Sequence, residues 1–225
     1  MSIRIRVLTD LLTELRAVGP GRRALVALDG VDGAGKSTIA RELVGLAQKG
    51  SGGAGTASVR PVAAAGIDGF HHPRAVRCAR GKGPETFYRD SYDYSAFVES
   101  VVEPFRRGEA IVVAVWDVDA DRPIEPEPRI LPSDCVLLVE GIFLHRPELR
   151  SLWDASVWVD VPFEVSVPRG NERFPGRFDA DPEDESNHRY VGGQRLYFAE
   201  ATPWEQATWV LDNRDLDRPT LTGRP

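Results

Sequence analysis

The stretch ALVALDGVDGAGKST, residues 24–38, decides the fold of this chain. It opens with five consecutive apolar residues, 24–28, which is typical of a strand buried on both faces of a parallel sheet. Residues 30–37 fit the pattern G-x-x-x-x-G-K-[ST], and a helical pattern follows from Ser37. A strand before this pattern and a helix after it are the context in which it binds phosphate. We therefore predict that residues 30–37, called the phosphate-binding loop below, hold a polyphosphate.

The residue types in this loop suit that task. Glycines let successive backbone N–H groups point into a concave nest, with no Cβ between them and a phosphate oxygen. The N-terminus of the following helix adds unpaired N–H groups and the positive end of its dipole. Lys36 can reach the β- and γ-phosphates, and the Ser37 hydroxyl can ligate Mg²⁺. The expected nucleotide-contacting residues are Gly30, Asp32, Gly33, Ala34, Gly35, Lys36, Ser37 and Thr38.

The alternative interpretation is a glycine-rich turn with an incidental lysine. Lysine is scarce in this chain, which has only Lys36, Lys49 and Lys82 against 25 arginines. Because a lysine at the motif position is therefore hard to obtain by accident, the composition favours the phosphate-binding interpretation.

The composition is that of a soluble, globular chain. It has 225 residues, 42% of them hydrophobic, which is enough to bury a sizeable core. No apolar run reaches the roughly 18 residues of a membrane span, and the net charge of −6 argues against a large nucleic-acid footprint. Two cysteines give no disulfide framework, so we expect a cytoplasmic protein. The expected partner is a small-molecule substrate, and homo-oligomerisation is left open.

Apolar runs alternate with helical patterns along the chain. The runs are 24–28, 59–67, 110–116, 135–139, 157–161 and 207–211, and the helical patterns are 37–47, 95–106, 162–173 and 188–200. This alternation indicates a parallel sheet covered on both faces. We predict one α/β domain over residues 1–225, a three-layer P-loop NTPase fold with a central, mainly parallel five-stranded sheet. An insertion at about 71–94 interrupts the rhythm, and loops of that length are usually functional. We also predict a lid at about 169–185.

The sequence favours a small-molecule kinase over a GTPase. A GTPase should carry the guanine-reading pattern N-K-x-D, and the nearest fragment, residues 212–215, lacks the lysine. A kinase needs a carboxylate near the acceptor hydroxyl, an acid near Mg²⁺ and cations over the transferring phosphoryl group.

Three places in the chain offer these groups. Asp68 follows the second predicted strand and Glu140 ends another, and open α/β sheets bind ligands at the carboxyl ends of their strands. Asp68 could accept the acceptor's proton and Glu140 could hold a Mg²⁺-bound water, whereas a turn aspartate and a solvent-facing carboxylate are the alternatives. Arg169, Arg173 and Arg177 are spaced by four and suit phosphate oxygens, and a solvated helix face is the alternative.

In their order along the chain, these motifs resemble the uridine kinase / phosphoribulokinase family of P-loop kinases. Besides the phosphate-binding loop, the resemblance rests on DGFH (68–71), YRDSYDYSAF (88–97), VEGIF (139–143), the arginine-bearing segment, GQRLYFAEATP (193–203) and VLDN (210–213). It covers residues 22 to about 217. It implies a kinase that uses ATP and Mg²⁺ to phosphorylate a primary hydroxyl of a small metabolite, with a nucleoside such as uridine or cytidine first in line.

The resemblance also implies roles for single residues. It makes Asp68 the catalytic base, Lys36 and Arg173 the cations that contact phosphate during transfer, and Ser37 and Glu140 the Mg²⁺-associated groups. The substrate-contacting residues that it implies are Tyr92, Asp93, Trp116, Asp117 and Gln194, and the spacing of the arginines adds Arg169. Among these, Tyr92 is expected to pack on the nucleoside base and Asp93 to hold the ribose hydroxyls.

Two stretches depart from the family pattern. In VWDVDADRP (115–123), Trp116 stands in place of a tyrosine and Asp121 at about the place of a histidine that reads the pyrimidine. A carboxylate donates no hydrogen bond unless it is protonated. In the lid, PRGNERF (168–174) replaces the paired arginine and Arg-Asp of the family. Two alternatives therefore stay open: a kinase for another acceptor (pantothenate, nicotinamide riboside or a sugar), and a nucleotide-binding regulatory protein without transfer activity.

Overall fold

The computed structural model describes residues 2–49 and 59–223. Its strands are β1 (Ala24–Gly30), β2 (Val62–Gly66), β3 (Trp116–Asp117), β4 (Arg122–Pro123), β5 (Val136–Gly141), β6 (Ala155–Asp160), β7 (Trp209–Asp212) and β8 (Thr220–Gly223). Its α-helices are α1 (Ile3–Ala17), α2 (Lys36–Lys49), α3 (Arg74–Arg77), α4 (Pro84–Asp90), α5 (Tyr94–Phe97), α6 (Glu103–Arg107), α7 (Phe163–Asn171), α8 (His188–Ala201) and α9 (Pro203–Gln206). A π-helical turn (Val98–Val102) joins α5 to α6, and 3₁₀ turns lie at Ile67–Phe70, Arg150–Leu152 and Glu185–Asn187. Within the described ranges, no helix combines the length and the apolar character that crossing a bilayer requires.

The central sheet has the strand order β2-β5-β1-β6-β7-β8. All neighbouring strands are parallel except β7 and β8, which are antiparallel. Every residue of β1 is buried, and because successive side chains of a strand point to opposite faces, both faces of the sheet are covered. The structure thus confirms the three-layer α/β fold with a mainly parallel sheet.

The sheet has a sixth strand beyond the five that the sequence predicted. This strand, β8, has the sequence TLTG, is mostly exposed and pairs with β7 at the sheet edge. Because β8 is held by backbone hydrogen bonds to β7 and buries little side-chain surface, its sequence has no apolar run that would predict a strand.

The apolar run at 110–116 is not a strand of the sheet, contrary to the prediction. Its backbone N–H groups donate elsewhere: Val112 to Ser100, and Val115 to Gly69. Only its last residue, Trp116, enters a strand, the short β3 that pairs with β4 in a separate two-stranded ribbon. The run is apolar because it packs against the core as irregular chain, and apolar character alone does not distinguish that state from a buried strand.

The order of the strands creates the position of the site. After β1 the chain crosses over β5 to reach β2, whereas after β5 it crosses over β1 to reach β6. The connections that leave these two neighbouring strands therefore run to opposite sides of the sheet. Open α/β sheets bind their ligands outside the carboxyl ends of the strands at such a point. The register pairs Gly66 of β2 and Leu28 of β1 with Glu140 of β5. The segments that follow β2, β5 and β1 therefore emerge side by side.

Candidate active site

The phosphate-binding loop turns sharply between β1 and α2. Gly33 (φ +75°) and Gly35 (φ +91°) adopt the left-handed region that favours glycine. A Cβ on Gly33 would lie 2.0 Å from the carbonyl oxygen of Ser166 in α7, so the close approach of that helix also requires glycine. Lys36 opens α2, and its Nζ donates to the Val31 carbonyl oxygen over 2.8 Å. The two turned glycines and the helix start give the loop amides an arrangement suited to an anion.

Two almost fully buried side chains brace this loop from outside. Gln194, on α8, accepts a hydrogen bond at Oε1 from the Asp32 backbone N–H over 2.7 Å. Asn213, directly after β7, donates from Nδ2 to the Ala34 carbonyl oxygen over 2.8 Å. The sequence predicts a substrate contact for Gln194 and no role for Asn213, although Asn213 ends the VLDN motif. In the structure both side chains hold the backbone of the phosphate-binding loop.

A buried polar network lies behind the loop, and the motifs that contain Asp29 and Tyr197 did not predict it. Asp29 is the next-to-last residue of β1, and its carboxylate accepts four hydrogen bonds. The donors are Gly30 N over 2.8 Å, His145 N over 3.0 Å, His145 Nδ1 over 2.7 Å and the Tyr197 hydroxyl. His145 Nε2 lies 2.9 Å from Ser156 Oγ in β6. Burial, followed by the charge of Asp29, raises the pKa of Tyr197, so its hydroxyl stays a donor at neutral pH. The network ties the end of β1 to α8 and β6 and so fixes where the loop begins.

Ser37 and Glu140 form the candidate Mg²⁺ site. The Ser37 hydroxyl donates to Glu140 Oε2 over 3.0 Å. Burial raises the pKa of Glu140, and the nearby charge of Lys36 opposes this shift. These side chains offer the hard oxygen donors that Mg²⁺ prefers. In the part of the chain that the structure describes, no three His, Cys, Asp or Glu side chains cluster around a metal position, so a Mg²⁺ held here needs phosphate and water oxygens as well.

Two cavities meet at Asp68. One, the loop cavity, has a volume of about 310 Å³ and is lined by polar groups that include Lys36, Ser37 and Glu140. The other, the lid cavity, has a volume of about 240 Å³. Its apolar lining comes from the insertion, α7, the lid and α8, and includes Phe87, Tyr92, Val167, Phe174, Phe178 and Tyr190. Asp68, Asp32 and Arg173 line both cavities, so they stand at the boundary between the polar loop cavity and a lid cavity whose lining combines aromatic and aliphatic side chains with polar ones.

The loop residues divide into those that face this space and those that support it. Six of the eight predicted nucleotide-contacting residues line the loop cavity: Asp32, Gly33, Gly35, Lys36, Ser37 and Thr38. Gly30 and Ala34 are buried and do not line it. Burial raises the pKa of Asp32, and the charge of Lys36 opposes this effect.

The lid arginines do not share one helical face. The helical pattern at 162–173 predicted a longer helix, but α7 contains Pro168 and ends at Asn171, shortly before a proline and a glycine at 175–176. Arg173 and Arg177 therefore lie beyond the helix. Arg169 lines the loop cavity and donates to the carbonyl oxygens of residues 213 and 214 over 3.0 and 2.5 Å. Arg173 lines both cavities, whereas Arg177 lines only the lid cavity.

Three of the predicted substrate-contacting residues line neither cavity. Asp93 caps α5, where its Oδ1 accepts from Ala96 N over 2.9 Å. Asp117 accepts hydrogen bonds from two amides of the β3–β4 turn, and Trp116 Nε1 donates to Asp121 over 3.4 Å. The structure therefore gives these side chains local contacts, and their substrate roles stay predictions.

Comparisons with known proteins agree with the family resemblance. No protein-family model matches the chain. Over 106 residues, 46% of the chain, it is 27% identical to uridine kinase-like protein 3 of Arabidopsis thaliana, and the match spans 22% of that relative's length. A solved structure named "Possible Uridine Kinase", from Bacillus stearothermophilus, has a TM-score of 0.68 at 19% identity and covers 91% of this chain and 97% of its own. A candidate fructose transport system kinase from Silicibacter sp. has a TM-score of 0.65 at 23% identity, covering 86% and 95%.

The comparisons bear on the family resemblance and on the fold. The match to the Arabidopsis relative supports the resemblance to uridine kinase-like P-loop kinases that the motifs predicted. The likeness to the two solved structures, which extends over most of the chain, confirms the fold.

Proposed function

We propose that the protein is an ATP-dependent phosphotransferase that moves the γ-phosphate of ATP to a primary hydroxyl of a small metabolite, with a nucleoside such as uridine or cytidine as the first acceptor to test. One observation carries the proposal: Asp68 lies in the wall that the loop cavity and the lid cavity share. A base at that boundary can reach an acceptor hydroxyl on one side while the terminal phosphate lies on the other.

In this proposal the loop cavity takes the triphosphate. The loop amides and Lys36 bind the β- and γ-phosphates, and Ser37 and Glu140 hold Mg²⁺, which when bound neutralises part of the phosphate charge. A further cavity of about 430 Å³ adjoins the loop and is lined on its other side by Arg4 and Asn213. We assign that cavity to the nucleoside part of ATP.

The transfer step uses the groups at the boundary. Asp68 accepts the proton of the acceptor hydroxyl as the hydroxyl oxygen bonds to the γ-phosphorus. The bond between that phosphorus and the β–γ bridging oxygen breaks, and ADP leaves. Lys36 and Arg173 face the charge on the transferring group. Positioning and charge stabilisation supply most of the catalysis in such a reaction.

The lid and the insertion keep water from the γ-phosphate. Phe174 and Phe178 of the lid face the same cavity as Phe87 and Tyr92 of the insertion. Because water competes with the acceptor for the phosphoryl group, an apolar wall of this kind favours transfer over hydrolysis.

The proposal is tested with ATP–Mg²⁺ and a panel of nucleosides, vitamins and sugars. We expect the wild type to phosphorylate one class of acceptor and Asp68→Asn to be slower by roughly 10² to 10⁴-fold, the usual contribution of a general base. Asp10→Asn, an exposed change on α1, is the control and should keep wild-type activity. Equal background turnover by wild type and Asp68→Asn with every acceptor contradicts the proposal, and Mg²⁺-dependent ATP binding without turnover indicates the regulatory alternative.

A second acceptor class is favoured by the contacts of the β3–β4 ribbon. The residues that the resemblance assigns to pyrimidine reading lie in this ribbon, and Asp121 is engaged with the Arg74 backbone N–H over 2.8 Å. Neither Trp116 nor Asp117 lines the lid cavity. A kinase for pantothenate, nicotinamide riboside or a sugar does not need pyrimidine reading, so the panel includes all three. A strong preference for uridine eliminates this second candidate.

A further inference from the structure

Tyr92 makes the side-chain hydrogen bond that holds Asp68. The Tyr92 hydroxyl donates to Asp68 Oδ1 over 2.8 Å. Tyr92 is 4% exposed, whereas Asp68 is an exposed residue. A buried donor therefore fixes one oxygen of a carboxylate that otherwise faces solvent. Among residues 2–49 and 59–223, nothing donates a hydrogen bond to the other oxygen, Oδ2.

The backbone fixes Tyr92 in turn. His71 and Tyr92 form an antiparallel β-bridge, and their rings lie 4.4 Å apart between centroids. The next residue, Asp93, donates its N–H to the Phe70 carbonyl oxygen over 2.8 Å. His71 Nδ1 donates to the Asp68 carbonyl oxygen over 2.7 Å. The two ends of the insertion are thus tied together beside Asp68, and Tyr92 cannot move without disturbing them.

The Tyr92 hydroxyl is held in the donor state. Burial raises its pKa well above the ordinary value for tyrosine, and the charge of Asp68 adds to the shift. The hydroxyl therefore stays protonated across the neutral range. An ionised carboxylate only accepts hydrogen bonds, so the direction of this bond is fixed as Tyr92 to Asp68.

We propose that Tyr92 is a positioning residue, whose hydroxyl holds Asp68 Oδ1 so that Oδ2 is presented to the acceptor hydroxyl. This role rests on the proposed phosphotransfer and differs from the packing on a nucleoside base that the family resemblance implies. A carboxylate without this bond samples several orientations at its terminal torsion. Because proton transfer requires hydrogen-bond distance and alignment, the loss of one fixed orientation slows the chemical step rather than binding.

Tyr92→Phe tests the proposal because it keeps the ring and removes only the donor. We expect kcat to fall by about tenfold or more, with the KM values for ATP and for the acceptor changed by less than about twofold. Tyr94→Phe is the matched control, since the Tyr94 ring lies 6.0 Å from that of Tyr92 but lines neither cavity. A Tyr92→Phe enzyme with wild-type kcat overturns the proposal.

The same change in an Asp68→Asn background separates positioning from a structural role. A residue that acts by orienting the base has little to orient once the base is gone, so the second change should alter the residual rate by less than about twofold. A packing role predicts the same slowing in both backgrounds, and that result overturns the proposal.

Crystal structures of the wild type and Tyr92→Phe give a test that needs no turnover. We expect a single Asp68 carboxylate orientation in the wild type, with Oδ1 bonded to Tyr92, and a rotated or split carboxylate in the variant. An Asp68 carboxylate that keeps the same single orientation without the hydroxyl overturns the proposal. If the wild type phosphorylates no acceptor, the proposed function fails, and this comparison still decides whether Tyr92 orients Asp68.

Discussion

The Ser37 hydroxyl and the Glu140 carboxylate are hydrogen-bonded over 3.0 Å although 103 residues separate them along the chain. Ser37 lies in the first turn of α2 and Glu140 near the end of β5, and the parallel pairing of β1 with β5 brings them together. Burial raises the pKa of Glu140, so the ionised form of this carboxylate disfavours the folded protein.

Glu140→Gln should therefore stabilise the protein without nucleotide at neutral pH. Because its pKa is raised in the folded state, Glu140 contributes stability that is fully present below the pKa of the unfolded chain and is lost as the pH rises through the folded-state pKa. A glutamine does not ionise, so the variant keeps this stability as the pH rises. We expect a Tm above that of the wild type at pH 7 and equal Tm values below about pH 4, measured by thermal unfolding across pH.

The exposed Glu99 supplies the control for this change. Glu99→Gln should follow the wild-type curve at every pH. With ATP and Mg²⁺ added at pH 7, the wild type should have the higher Tm. A ligand that binds only the folded state stabilises it, and Glu140→Gln weakens that binding. A Tm difference between Glu140→Gln and wild type that is independent of pH refutes the explanation.

Gly33→Ala should damage the phosphate-binding loop. The residue has a φ of +75°, and a Cβ there would lie 2.0 Å from the Ser166 carbonyl oxygen. We expect a loss of stability of about 1–3 kcal/mol and a loss of ATP binding, measured by denaturant unfolding and by calorimetry.

Gly45→Ala is the matched change in α2, where a Cβ meets nothing within 4 Å. There the substitution should stabilise the protein by about 0.5–1 kcal/mol and leave ATP binding unchanged. Equal effects at positions 33 and 45 would mean that the close approach of α7 to the loop does not exist in solution.

Asn213→Asp should weaken ATP binding selectively. The change keeps the shape of the side chain but removes the Nδ2 donor to the Ala34 carbonyl oxygen, which leaves a buried acceptor unpaired. We expect the KM for ATP to rise about tenfold, which corresponds to about 1.4 kcal/mol, while the KM for the acceptor stays constant. Initial-rate kinetics with each substrate varied in turn measure this difference.

The same brace extends to the N-terminal helix. Arg4, in α1, donates to Asn213 Oδ1 over 3.1 Å and pairs with Glu42 of α2. Arg4→Met should therefore raise the KM for ATP in the same direction as Asn213→Asp, both through the loop and because Arg4 lines the cavity assigned to the nucleoside part of ATP. Arg6→Met, two residues later at an exposed position, should not. If both arginine variants behave alike, α1 acts on the loop by general packing and not through Arg4.

The sequence reveals the parts of the site that follow from regular structure. A strand, a glycine-rich turn and a helix are local, so the phosphate-binding loop is visible in 15 consecutive residues. Asp68 and Glu140 could be associated with it because the carboxyl ends of parallel strands share one edge of a sheet. The structure brings both side chains to the loop cavity.

The buried residues that hold the phosphate-binding loop in place could not be predicted from the sequence in the same way. Asp29 and His145 are 116 residues apart, and Asp29 and Tyr197 are 168 apart. Each is an ordinary polar or aromatic residue in its own segment, and only tertiary packing pairs them. The run at 110–116 shows the opposite error, since apolar residues that pack as irregular chain give the same pattern as a strand.

The His71–Tyr92 bridge closes the neck of the insertion and so separates its body from the reacting groups. We therefore expect that a segment of different length grafted between these two residues leaves the Asp68 carboxylate in place. Such a graft has to keep α4, because Phe87 and Tyr88 are buried in the core and because Gly192 and Gly193 of α8 have Pro84 and Phe87 directly against them. If the proposed phosphotransfer holds, exchanging this segment should change the preference for acceptors and leave the KM for ATP constant.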